Sequence, residues 1–107
     1  MQEIGREFGV TTGRRRRCGW IDLPQLKYAD CINHFTALAI TKLDVMDTFE
    51  TVAACIGYLD AAGNEVEYMP SSLKKLAEVK PKLKEFPGWK CDTTKCTTVQ
   101  PNIFKAC

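Results

Sequence analysis

Two short segments carry most of the reactive side chains in this sequence: Thr11-Thr12-Gly13-Arg14-Arg15-Arg16-Arg17 and Thr41-Lys42-Leu43-Asp44. In the first, guanidinium forks bind carboxylates or phosphates through paired hydrogen bonds, and hydroxyls and backbone N–H groups add donors. Gly13 is free to take a positive φ and let the backbone approach a ligand. A solvated charge run is the plainer reading of four arginines. Two small hydroxyl residues and a glycine in front of them favour a cradle for a small polyanion.

The second segment closes the apolar run Ala37-Leu38-Ala39-Ile40. An aspartate there can accept hydrogen bonds from both N1–H and the 2-amino group of guanine, a pair of donors that adenine does not present. Sites of this kind discriminate by up to about 10⁴ to 10⁵, because the wrong base leaves a carboxylate unpaired. Lys42 would lay its methylene stem along the purine face. Chance is the competing account, with Lys42 solvated and Asp44 capping a turn.

The elements that would hold these segments follow from patterning. Residues 9–19 contain Gly9, Gly13 and Gly19 around the arginines and have no apolar period, so they form an exposed loop. Asp22 suits an N-cap, Pro24 a first turn and Gln25 the third position, with Leu23, Leu26, Ala29 and Ile32 on one stripe; this predicts a helix from about Leu23 to Asn33. His34 then falls at the C-terminal cap, with no acid or base role. The run Ala37–Ile40 reads as a strand buried on both faces.

Farther on, Val52, Ala54, Ile56 and Tyr58 alternate, a glycine-containing turn spans Asp60 to Asn64, and Val66 and Tyr68 alternate with Glu65 and Glu67. That pattern predicts an antiparallel hairpin near residues 51–69 with one wet face. Ser71 or Ser72 can cap a short helix through Val79, stopped by Pro81. Lys82 to Phe86 read as one more strand before a turn at Pro87-Gly88, and periodicity is lost from Trp89 onward.

Bulk properties exclude more than they name. Fifteen Lys and Arg nearly balance thirteen Asp and Glu, and the pI of about 8.2 falls below the value above about 9 usual for nucleic-acid domains. No apolar stretch approaches a membrane span, and the amino end has no secretory or transit pattern, so the cytoplasm is the expected location. The six cysteines then read as reduced thiols, Cys31 and Cys55 among them as small hydrophobes in apolar segments. A metal module built on Cys91, Cys96 and Cys107 lacks the second matched pair of a zinc site. A small basic module binding phosphates or nucleic acid through Arg14 to Arg17 is the alternative function.

Order and spacing bring the segments together. The series Gly5-Arg6-Glu7-Phe8-Gly9-Val10-Thr11-Thr12-Gly13-Arg14, Arg16-Arg17-Cys18-Gly19-Trp20, Phe35-Thr36-Ala37-Leu38-Ala39-Ile40-Thr41-Lys42-Leu43-Asp44 and Phe86-Pro87-Gly88-Trp89 resembles the carboxy-terminal half of adenylosuccinate synthetase over about residues 2–96. The resemblance implies an α/β fragment of a large P-loop-like nucleotide-binding fold with a mainly parallel sheet. It divides the chain into a partial synthetase domain, 1–96, and a divergent tail, 97–107.

It also implies an activity: a homodimeric, magnesium-dependent ligase that couples GTP hydrolysis to the joining of IMP and L-aspartate, with no nucleic acid or membrane as partner. Carried over by position, Val10, Thr11, Thr12, Gly13, Arg14, Arg15 and Arg16 form the loop over aspartate and IMP. Arg14 reaches IMP, Arg16 lies near the GTP phosphates, and Lys42, Leu43 and Asp44 form the guanine site. The family's glycine loop, catalytic aspartate and catalytic histidine have no counterpart here, nor do the magnesium ligands. The expectation is therefore a partial chain, prone to bare strand edges and without synthetase turnover alone.

Overall fold

The computed structural model describes residues 1–66 and 68–98. Glu67 of the expected hairpin, and the tail from Val99 with Cys107, lie outside the described residues. Two compact units account for the described residues: the first combines Met1–Trp20, Ala39–Val52 and residues 86–98, and the second combines Ile21–Leu38 with the described part of 53–85.

The second unit is built around a sheet. Strand β1, Ile21–Asp22, leads directly into helix α1, Leu23–Asn33, and β1 pairs in parallel with β2, Thr51–Leu59, through Ile21 opposite Ala54 and Asp22 opposite Cys55. The start of α1 is fixed by the predicted cap, the Asp22 carboxylate accepting from the Gln25 N–H at 3.0 Å. Its end is His34, in left-handed backbone at φ 53°, whose N–H returns to the Asp30 carbonyl. A residue in that conformation ends a helix because the next turn cannot continue.

Asp22 also receives the Tyr58 hydroxyl on its second oxygen at 2.6 Å. One carboxylate thus caps α1 and ties it to β2. Tyr58 is buried, and burial together with the bond to Asp22 pushes its phenol above the ordinary range.

From β2 the chain turns through Asp60–Asn64, where Gly63 takes φ 87° and the Asp60 carboxylate accepts from Ala62 N, Asn64 N and the Asn64 amide. It returns as β3, Glu65–Val66, antiparallel to β2, with Tyr58 opposite Val66 and Leu59 opposite Glu65. Helix α2, Leu73–Glu78, is capped by Ser72 accepting from Lys75 N, and β4, Lys80–Pro87, pairs with β2 as well. The sheet is therefore mixed, with the predicted hairpin present and both short helices where the capping residues put them.

Three expectations change. Ala37–Ile40 is not a strand: the segment is irregular, Leu38 and Ile40 are 55% and 52% exposed, and no strand among the described residues lies beside it. An apolar run becomes a strand only when a neighbour accepts its ladder bonds. Cys31 is exposed on α1, whereas Cys55 is buried as expected. Finally, Val52, Ala53, Ala54 and Cys55 are all buried, so this part of β2 is covered on both faces and has no wet side.

The first unit packs around Val52 and Trp89, with Trp20, Leu43, Met46, Phe49, Phe86 and Cys91 against them. Trp20 and Phe49 meet edge to face, ring centroids 6.2 Å apart, a geometry that aligns the positive ring edge with the negative face. Trp89, beyond the last periodic residue, is thus a core anchor. Two short 3₁₀ helices, Leu43–Met46 and Thr93–Lys95, complete this unit. Five described cysteines are free thiols.

Candidate functional site: the arginine loop and the Lys-Leu-Asp turn

The arginine loop and the Lys-Leu-Asp segment both belong to the first unit. The loop is a tight reversal. Gly9 N donates to Arg14 O at 2.7 Å, Gly13 N to Gly9 O at 2.9 Å and Arg16 N to Glu7 O at 2.9 Å, with Phe8 and Arg15 paired as an isolated antiparallel bridge. Gly13 sits at φ 64°, the conformation that its place in the sequence anticipates. Val10 to Arg17 are all exposed, as expected for a loop without an apolar period.

The four guanidinium groups are not equivalent. Arg15 pairs with Glu3 at 2.7 Å and Arg16 more loosely with Glu7 at 3.8 Å. Arg14 and Arg17 have no ion-pair partner among the described residues, so their forks are open to an incoming anion. The Thr12 hydroxyl accepts from Arg14 N at 3.4 Å and keeps its proton to donate.

The Lys-Leu-Asp turn divides its three side chains between different environments. Leu43 packs into the Val52 and Trp89 core and anchors the turn. Lys42 takes left-handed backbone, φ 58° and ψ 35°, and its ammonium donates to Gly5 O at 2.8 Å and to Glu7 Oε1 at 2.5 Å. With the ammonium held at its tip, the methylene stem becomes a fixed apolar platform. Asp44, in the first turn of the 3₁₀ helix, is exposed, and among the described residues its carboxylate has no partner. Both its oxygens remain available as acceptors.

Below this turn, Asp47 accepts from the Trp89 indole at 2.8 Å, from Thr93 N at 2.9 Å and from the Thr93 hydroxyl at 3.2 Å. Glu7 is held below the usual carboxylate range by its hydrogen bond to Lys42 and the charge of that ammonium, with a smaller contribution from Arg16. Neither Glu7 nor Asp47 was singled out from sequence. The one available signal for Glu7 is an acidic residue within an otherwise basic, glycine-rich block; Asp47 has none.

Among the described residues, no three His, Cys, Asp or Glu side chains gather where they could hold a cation. No helix among the described residues is long and apolar enough to cross a membrane.

The family model described as adenylosuccinate synthetase matches residues 1–103. The chain belongs to the adenylosuccinate synthetase family. An adenylosuccinate synthetase of Neurospora crassa is 54% identical over 99 residues, which make up 92% of this chain and 23% of that protein. One from Sordaria macrospora is 52% identical over the same share of both. The solved structure titled as fully ligated adenylosuccinate synthetase from Plasmodium falciparum superposes with a TM-score of 0.83 at 38% identity, over 89% of this chain and 23% of that one. The chain therefore spans about a quarter of the length of the synthetases it matches, and its fold is that of the corresponding part of the family.

Proposed function

We propose that this chain supplies the loop over aspartate and IMP, and the guanine-reading wall, of a ligase that forms adenylosuccinate from IMP and L-aspartate with hydrolysis of GTP. The observation that carries the reading is the state of the Lys-Leu-Asp turn. Its aspartate keeps both acceptor oxygens open, its lysine is tied at the tip, and its leucine is locked in the core. An unpaired carboxylate beside an apolar stem is what the guanine edge and face require.

In this reading Asp44 accepts from N1–H and the 2-amino group, and Lys42 covers the purine face. Arg16 turns from Glu7 toward phosphate. Val10 to Arg16 form the loop over aspartate and IMP, their guanidinium groups meeting the aspartate carboxylates, with Arg14 toward IMP. Arginines positioned in advance stabilise charge that develops in phosphoryl transfer without moving at the moment of reaction. Magnesium, where the family uses it, would neutralise phosphate charge, and this reading places its ligands outside the residues named above. The same reading makes the working enzyme homodimeric and cytoplasmic, and predicts no turnover from the 107-residue chain by itself.

The test is a graft. Residues matching this chain are replaced by it in the full-length Neurospora crassa synthetase, and adenylosuccinate formation is assayed. The reading requires GTP-dependent turnover within about tenfold of the parent. A folded graft that makes no product overturns it.

A further inference from the structure

The two halves of the site are connected by one residue that neither motif contains. Glu7 presents its Oε1 to the Lys42 ammonium at 2.5 Å and its Oε2 to the Arg16 guanidinium at 3.8 Å. Its own backbone is fixed on both sides: Glu7 N donates to Gln2 O at 2.9 Å, and Glu7 O accepts from Arg16 N at 2.9 Å. The carboxylate thus projects from an anchored main chain, and its side chain is 28% exposed while Lys42 and Arg16 are 55% and 57% exposed.

We propose that Glu7 is a positioning residue of the guanine-nucleotide half-site, its carboxylate bridging Lys42 and Arg16 so that the lysine stem and the arginine fork are prearranged for a guanosine triphosphate. The proposal rests on the guanine reading above. The two arms of the bridge differ in strength. The contact to Lys42 is a charge-assisted hydrogen bond, backed by Gly5 O, and it persists while the stem lies against a base. The contact to Arg16 lies beyond hydrogen-bond distance, so Arg16 can exchange Glu7 for a phosphate without breaking a hydrogen bond.

Two further observations support the bridge. Lys42 holds a left-handed backbone, a conformation costly for any residue but glycine and maintained only where the surroundings impose it. In that conformation its ammonium reaches both Gly5 O and Glu7 Oε1. Without the Glu7 carboxylate, Lys42 and Arg16 would also be two cations with nothing between them. Exposed ion pairs contribute little to stability, so the effect of Glu7 belongs in nucleotide affinity.

The experiment uses the grafted synthetase with Glu7→Gln and Glu7→Asp. For Glu7→Gln the KM for GTP rises at least about fivefold, kcat stays within about twofold, and the KM values for IMP and aspartate do not move. Glu7→Asp keeps the charge on a shorter arm and gives an intermediate KM for GTP; it makes the same comparison if the glutamine variant does not fold. A KM for GTP within about twofold of the parent graft in the folded variants overturns the proposal, as does a loss confined to kcat, which marks an interaction made only in the transition state and not the placing of the nucleotide. If the unsubstituted graft shows no preference for GTP over ATP, the guanine reading fails and this proposal with it. A retained preference with an unmoved KM in the variants removes Glu7 alone.

Discussion

The Trp89 indole N–H donates to the Asp47 carboxylate at 2.8 Å, and Thr93 adds its backbone N–H and hydroxyl to the same group. Asp47 directly follows the 3₁₀ helix that carries Leu43 and Asp44. The last motif of the family series, Phe86-Pro87-Gly88-Trp89, is therefore the support beneath the Lys-Leu-Asp turn. Asp47→Ala leaves three donors without their acceptor. It lowers unfolding free energy by about 2–3 kcal/mol, measured by urea denaturation followed through tryptophan fluorescence, whereas Trp89→Phe, keeping an aromatic ring but no N–H, costs about half as much.

Gly88 stands where a side chain has no room. A Cβ there would lie 1.9 Å from Phe49 O and 3.1 Å from Glu50 O, while Gly88 N donates to Glu50 O at 2.9 Å. Gly88→Ala must displace the backbone of 49–50 and costs about 3 kcal/mol or more. Gly13→Ala, at φ 64° with nothing near its missing Cβ, costs only about 1 kcal/mol. Parallel thermal melts of the two variants check the order.

The Tyr58–Asp22 bond gives the second unit a dependence on alkaline pH. The phenol is raised above its ordinary value of 10, so the folded state holds this proton more tightly than the unfolded chain does. Its contribution is complete below pH 10 and is lost as pH rises through the higher folded value. Tyr58→Phe removes about 1–2 kcal/mol at neutral pH and flattens the decline above pH 10. Denaturation midpoints across pH 8–12 check both statements.

Glu7 titrates in the opposite sense. Its carboxyl is lowered from 4.5 by Lys42, so the tie is fully present above that value and is lost as pH falls through the lower folded value. In ¹³C spectra of the chain, the Glu7 carboxyl titrates below 4.5, and Lys42→Met returns it toward the ordinary glutamate range.

What could be read in the sequence, and what could not, divides along interaction range. Helix α1 with its Asp22 cap and His34 stop, α2 behind Ser72, the Asp60–Asn64 turn and the positive φ of Gly13 all depend on bonds within a few residues, and each was legible. The Ala37–Ile40 strand failed because a strand needs a neighbour, which local apolarity cannot supply. Burial of Trp89 and the double coverage of β2 were invisible for the same reason: both depend on segments far apart in the chain. Arginine density and the Lys-x-Asp spacing located the candidate site, but the Glu7 link spans 35 residues to Lys42 and only the fold produces it.

Base selection by Asp44 is the central claim, and it is tested most directly by the KM for GTP in the grafted synthetase carrying Asp44→Asn. Replacing an acceptor oxygen by an amide puts a donor against a donor on the guanine edge. The account predicts a loss in kcat/KM for GTP of at least about 100-fold with the KM for IMP unchanged. A folded Asp44→Asn graft that uses GTP within about twofold of the parent would contradict it.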